Sequence, residues 1–462
     1  MPDTILATNS IPKNATPKVM LAMAELSAKN LLQLVVKSGI ADEDDLKKSL
    51  GPISGKLDSS DFTAAQLSDH LIEAGIITKW HAGKLLAGKY KGFFLDKYKL
   101  LGHLGTGGMS SVYLAEAKNT GQKRAIKVLP KKKVTDKSYL DRFYREGKAA
   151  ASLNHPNIVR VYDINNAGKT HYMVMEYVQG ADLYETVRDD GAMPIDEAVE
   201  AMIQSAEGLL HAHQKTMVHR DIKPANLLRT DSGSIKILDL GLALFNTEGE
   251  ESLTVLYNEK VMGTADYLSP EQAVNSHEVD HRADIYSLGC TLYFLVTGRP
   301  PYNKGTLAQR IAMHQSKEPD SILDSRPDCP QGLVDICTKM MRKNPDDRFE
   351  NCQEVMNVLK QFKESPDTFR LDLPPPTPAM AIPVAAKEPA DKVMAEPRGE
   401  FDISTRIGDS QKDAIPVARP TRAPKIKRKR RKQTAKWIIP ALVTFMISTL
   451  VAILYIMGQL AK

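Results

Sequence analysis

His219-Arg220-Asp221-Ile222-Lys223-Pro224-Ala225-Asn226 is followed, thirteen residues after Asn226, by Asp239-Leu240-Gly241. The first run places a carboxylate, a lysine and an asparagine in one short loop. The second returns another carboxylate after a hairpin's worth of sequence. Together they supply a base, a counter-charge and two oxygen ligands for a metal. A transferring phosphoryl group needs little covalent help, so its catalysis rests on positioning and on stabilising charge at the phosphate oxygens. The residue types in these two runs meet that demand, and few other chemistries need the combination.

The two runs resemble the catalytic loop and metal-binding motif of protein kinases, with Lys223 in the pattern of the serine/threonine branch. The resemblance extends from about Tyr98 to Phe362, more than half of the chain. It implies an α+β, bilobal protein kinase fold, with a β-rich small lobe, a helical large lobe and ATP between them. It also implies roles. Asp221 would accept or orient the proton of the substrate hydroxyl, Lys223 would steady the transferring phosphate, and Asn226 and Asp239 would hold Mg2+, with Mn2+ as the alternative. Hard oxygen ligands suit magnesium, and few are needed because water and phosphate complete its octahedron.

Upstream, Leu104-Gly105-Thr106-Gly107-Gly108-Met109-Ser110-Ser111-Val112 has the glycines that let a backbone approach phosphates and a β-branched Val112 to cover the adenine. Arg124-Ala125-Ile126-Lys127 follows with strand-like alternation. By resemblance, Lys127 meets the α and β phosphates and pairs with Glu146 of a helical stretch. Tyr172 to Val178 resembles the strand and hinge at the adenine edge, with Met175 guarding the back pocket and backbone groups near Glu176 and Val178 facing the base. Leu228 completes the nucleotide set.

Between Asp239 and Glu271 lie Thr247, Ser252, Thr254 and Thr264, the hydroxyls of an implied activation loop. A phosphate at Thr254 or its neighbours is expected to pair with Arg220 and order the loop. Thr264 would bond to Asp221 and Lys223. Glu271 is expected to pair with Arg348, and Asp284 to brace the catalytic-loop backbone. The chain departs from the family pattern at Ser110, Leu240 and Ala150. These departures keep a nucleotide-binding pseudokinase scaffold as a rival reading, and a kinase of small-molecule hydroxyls is another.

The remaining sequence falls into distinct compositions. Residues 1–20 read as disordered, and residues 21–90 as a helical module, with Asp42 and Thr63 as caps and Gly39 and Gly75 as stops. The kinase domain is assigned to residues 98–362, and a proline-rich disordered linker to residues 365–424. Residues 425–436 are a basic juxtamembrane segment. Trp437 to Gly458 is 22 uncharged residues, about 33 Å as a helix, and reads as a transmembrane span. The flanking bases orient the kinase domain to the cytoplasmic side and towards anionic lipid. Only Gln459 to Lys462 follow the span.

Net charge is +6, from 62 bases and 56 acids, yet nine bases lie between Arg422 and Lys436 without an acid. The rest of the chain is close to neutral, so no nucleic-acid partner is expected. The expected partners are proteins bearing serine or threonine, membrane lipid, and a second copy through the kinase domain. Cys290, Cys329, Cys337 and Cys352 lack zinc-type spacing and suggest free thiols in a reducing compartment.

Overall fold

A computed structural model describes residues 26–57, 59, 61–106, 110–130, 134, 137–239, 265–274 and 279–377, with Glu146 described by its backbone alone. The segments assigned to the linker beyond residue 377, the basic run and Trp437–Gly458 lie outside these residues. So do Gly107, Gly108, Met109, Leu240, Thr247, Ser252, Thr254 and Thr264. Among the described residues no helix is long and apolar enough to cross a membrane.

Four helices open the structure: α1 (Ala28–Ser38), α2 (Glu43–Leu50), α3 (Ala64–Glu73) and α4 (Lys79–Leu86). Their starts are fixed by side-chain caps from Ser27, Asp42, Thr63 and Thr78, which satisfy otherwise orphaned N–H groups. Gly39 ends α1 in the left-handed conformation, at φ 66°, which glycine adopts without penalty. Apolar residues at helical spacing, including Leu31, Val35, Leu67, Leu71 and Leu85, meet in one buried cluster with Phe93.

The chain then builds a six-stranded sheet in the order β1-β2-β3-β4-β6-β5. Its strands are β1 (Phe94–Leu95), β2 (Tyr98–Thr106), β3 (Ser111–Ala117), β4 (Lys123–Val128), β5 (Val161–Ala167) and β6 (Thr170–Glu176). All five pairings are antiparallel. Helix α5 (Lys137–Ala151) lies between β4 and β5 in sequence and packs against β5. Gly147 allows this approach, because a Cβ there would collide with Ile164 Cδ1.

The larger helical lobe starts with β7 (Gly180–Asp182), α6 (Leu183–Asp190) and α7 (Ile195–Gln214). Strands β8 (Leu227–Thr230) and β9 (Ile235–Ile237) complete a small second sheet in which β8 lies between β7 and β9. Helices α8 (Pro270–Val274), α9 (Arg282–Thr297), α10 (Leu307–Ser316), α11 (Ile322–Ser325), α12 (Gln331–Met340) and α13 (Cys352–Glu364) follow. Helix α9 is buried on every face, with Ala283 through Val296 all buried, which makes it the centre of the lobe. Gly289 lets α12 approach it closely, since a Cβ would stand 2.7 Å from Met340 Cβ. All four cysteines are buried free thiols.

Residues 366–377, assigned from sequence to a disordered tether, instead run along the large lobe. Phe369 packs against Phe362, and the Thr377 hydroxyl donates to Asp347 Oδ2 at 2.6 Å. The half-buried side chains of Phe369 and Leu371 reach the lobe's core cluster, and apolar contact of this kind anchors the segment.

Two buried histidines couple folding to pH. Burial pushes the His81 imidazole down to about 4, with Lys99 adding to the effect. Burial also pushes His314 down to about 3, helped by Lys343 and Arg310. In the unfolded chain both titrate near pH ~6.5, so below that value the unfolded state binds protons that the folded state does not. Stability is therefore complete above that value and falls as pH drops towards 4, by up to about 1.4 kcal/mol per pH unit for each histidine. Urea midpoints taken between pH 7.5 and pH 5, values chosen to span roughly this window, should decrease with acidification; a flat profile contradicts the neutral burial of these rings.

Candidate active site

The loop His219–Asn226 is held from below by one carboxylate. Asp284, on the first turn of α9, accepts from the His219 N–H at 2.8 Å and the Arg220 N–H at 2.7 Å. His213 Nε2 donates to the same carboxylate at 2.8 Å. Burial pushes the Asp284 carboxyl up, but the contacts from His213 and His219 outweigh it and hold the group below the usual carboxylate range. Arg220 has φ 64° and Asp239 has φ 52°. A non-glycine residue in that region costs about 1 kcal/mol or more, so the surrounding bonds must impose it.

On that base the charged residues converge. Lys223 Nζ donates to both oxygens of Asp221, at 2.9 and 2.8 Å. Asn226 Nδ2 donates to the Asp221 carbonyl at 2.7 Å and to its Oδ2 at 3.0 Å, which leaves Asn226 Oδ1 as the acceptor. The loop is stitched to the strand before Asp239 at two points. Leu238 N–H donates to Asn226 O at 2.9 Å, and His219 Nε2 donates to Leu238 O at 2.8 Å. The sequence gives no spacing rule for His219 as this second stitch, because it depends on where β9 delivers Leu238.

Lys127, buried on β4, places Nζ 2.6 Å from Asp239 Oδ1. Desolvation in the cleft opposes ionisation of the Asp239 carboxyl, yet the adjacent Lys127 ammonium prevails and holds it below its ordinary range. The expected partner, Glu146, sits on α5; its side chain is outside the described atoms, and the ion pair seen at Lys127 is the one with Asp239. Asp239 and Asn226 therefore offer an ionised carboxylate and an amide oxygen, a donor set that fits a hard divalent cation.

Beside this cluster is a cavity of about 320 Å³. Leu104, Gly105, Val112, Ala125 and Met175 line it from the small lobe, and Leu228 and Asp239 from the large lobe. Glu176 and Val178 border it between the two. Lys236 Nζ grips the Glu176 carboxylate at 2.8 and 3.0 Å, and the Glu176 N–H donates to Arg160 O. Thr106 and Ser111 end the two facing strands, and Ser110 is buried between them. Sequence reasoning missed Asp182 and Glu185 at the rim and Val159, Val161 and Ile237 in the wall. An apolar strand residue gives no sign of which cavity it will face. Asp182 is the N-cap of α6, accepting from the Glu185 N–H at 2.8 Å.

The two expected scaffold contacts are present. Arg348 forms a bidentate pair with Glu271, at 2.7 and 2.8 Å, and Asp284 braces the loop as described. Gln272 adds a bond from Nε2 to Arg220 O at 2.9 Å. Asp266 is paired with Arg310 in the interior, and burial pushes its carboxyl up to about 6.

The protein kinase domain family model matches residues 98–359, more than half of the chain, and the protein belongs to that family. The chain is similar to the serine/threonine-protein kinase PknB of Mycobacterium leprae, 39% identical over 264 residues that cover 56% of this chain and 42% of that protein. It is similar to PrkC of Bacillus subtilis, 38% identical over 265 residues covering 57% and 40%. The crystal structure of the Mycobacterium tuberculosis PknI kinase domain aligns with 28% identity and a TM-score of 0.47, covering 58% of this chain and 98% of that one. The chain spans about two fifths of the length of the two curated relatives named here.

Replacing Asp284 with alanine strands two buried backbone N–H groups and the His213 donor. A loss of about 3 kcal/mol of stability is expected, together with faster amide exchange at His219 and Arg220. An unchanged denaturation midpoint contradicts the role assigned to this carboxylate.

Proposed function

We propose that this protein transfers the γ-phosphoryl group of ATP to serine or threonine hydroxyls of proteins. The observation that carries the reading is the Asp221–Lys223–Asn226 knot, bonded to the strand that delivers Asp239, beside a largely apolar cavity that Asp239 borders with its carboxylate paired to the Lys127 ammonium. The cavity takes the adenine, with Met175 at its back and backbone groups near Glu176 and Val178 at its edge. Lys127 turns from Asp239 to the phosphates. Asp221 holds the acceptor hydroxyl and receives its proton as the oxygen attacks phosphorus, and the bond from phosphorus to the ADP oxygen breaks. Lys223 offsets negative charge on the transferring group. Magnesium, held by Asp239 and Asn226 Oδ1, supplies neutralisation of phosphate charge when bound.

The relatives named above support the serine/threonine class, as does Lys223 two residues beyond Asp221. The membrane assignment is supported by sequence alone. Trp437–Gly458 is long enough to span, and the basic run before it favours a cytoplasmic kinase domain on anionic lipid. Phosphorylation at Thr254 or a neighbouring hydroxyl is the proposed means of ordering the segment between Asp239 and Glu271.

Incubating the purified chain with labelled ATP and a generic basic protein should give phosphoserine or phosphothreonine only when magnesium is present. Asp221→Asn and Asp239→Asn should each lower the rate by at least about a hundredfold. Nucleotide binding without transfer in the wild-type chain would favour the pseudokinase scaffold instead.

A further inference from the structure

The helical module is joined to the small lobe at the strand that leads into the nucleotide cavity. Strand β2 needs such a partner. It pairs with β3 on one side, but on the other β1 covers only its first residues, leaving an open edge of backbone groups. The β2–β3 register also slips between Leu100 and Gly102 and again between His103 and Gly105. At the first slip, helix α4 takes over the pairing. Thr78 Oγ1 donates to Leu101 O at 2.6 Å, and His81 Nε2 donates to Leu100 O at 2.6 Å.

The two side chains are themselves locked together. The Thr78 N–H donates to His81 Nδ1 at 3.1 Å, and the His81 N–H donates to Thr78 Oγ1 at 3.2 Å. These bonds fix the histidine tautomer, because Nδ1 accepts while Nε2 carries the hydrogen. His81 is fully buried, with Phe93 edge-on at 5.1 Å.

A second path runs over the sheet. Trp80 of α4 meets Tyr113 of β3 at 6.1 Å, and Tyr113 meets His103 of β2 at 5.2 Å. His103 Nε2 and Thr106 Oγ1 are 2.9 Å apart. Leu104 and Gly105, between those two residues, line the cavity. One helix thus grips β2 before its second slip and reaches its cavity end through aromatic contacts.

We propose that the N-terminal module is a built-in brace of the nucleotide site, with Thr78, Trp80 and His81 as positioning residues that set where the Leu104–Thr106 end of β2 meets ATP. This rests on the nucleotide-site reading above. Without the brace, Leu100 and Leu101 carbonyls lose their donors and the slipped strand is free to shift, so the cavity must spend binding free energy on ordering it. The brace therefore acts on ATP affinity and leaves the Asp221 cluster in place.

The test measures ATP affinity directly, by calorimetric titration of the full chain with magnesium–ATP, alongside KM and kcat. Thr78→Val keeps the side chain's shape and removes the hydroxyl; His81→Leu removes both imidazole bonds. Each should weaken ATP by about threefold to tenfold and raise KM in parallel, with kcat at saturating ATP changed far less. His81→Gln should bind nearly as wild type, because glutamine makes the same reciprocal bonds at Thr63–Gln66 and Thr306–Gln309. If His81→Leu does not fold, Thr78→Val and His81→Gln still decide the matter. Folded Thr78→Val with wild-type affinity, or His81→Gln as weak as a variant lacking the bonds, overturns the brace. A wild-type chain that binds no ATP overturns the nucleotide-site reading and the brace with it.

Discussion

The active cluster depends on one buried carboxylate. Asp284 takes the backbone N–H groups of His219 and Arg220, and these bonds hold Arg220 at a positive φ that an arginine would not adopt unaided. Once that turn is fixed, Asp221, Lys223 and Asn226 follow within hydrogen-bonding distance of one another. A helix buried on all faces supplies the rigidity, because Asp284 lies on α9 at the centre of the large lobe. An ionised group in such a place is tolerated only when donors surround it, and three do.

The small lobe contributes a different constraint. Its sheet carries Lys127 to within 2.6 Å of Asp239, so the charges of the cluster come from elements far apart in sequence. The sheet takes support at two separate places. The helical module gives it at Leu100 and Leu101, and the large lobe meets the sheet side of the cleft through the Val159 N–H to Ile237 O bond at 3.0 Å. Fold and site are thus held by a few polar contacts set within large apolar clusters.

Much of this was legible in the residues. His219–Asn226 and Asp239 were legible as one cluster because a short loop and a hairpin separate them, and the structure brings them together. The caps at Asp42 and Thr63 and the stop at Gly39 obeyed local rules as well. Glu271 with Arg348 and the bracing by Asp284 came from resemblance, and both contacts are found. What stayed hidden depends on register and tertiary packing. His81 at the third position of a helix does not look like a capping residue, since glutamate or glutamine is usual there, and its bond to Leu100 arises only from the slip in β2. The wall residues Val159 and Val161 looked like any alternating strand. Phe369 and Leu371 were hidden among prolines, and composition alone concealed their docking on the large lobe.

The most direct measurement is a crystal structure of the chain with magnesium and a non-hydrolysable ATP analogue. The account predicts adenine between Ala125 and Leu228, the metal on Asp239 and Asn226 Oδ1, and Lys127 Nζ moved from Asp239 onto phosphate oxygens. Nucleotide bound elsewhere, or a Lys127–Asp239 pair left intact beside a metal-free phosphate, would contradict it.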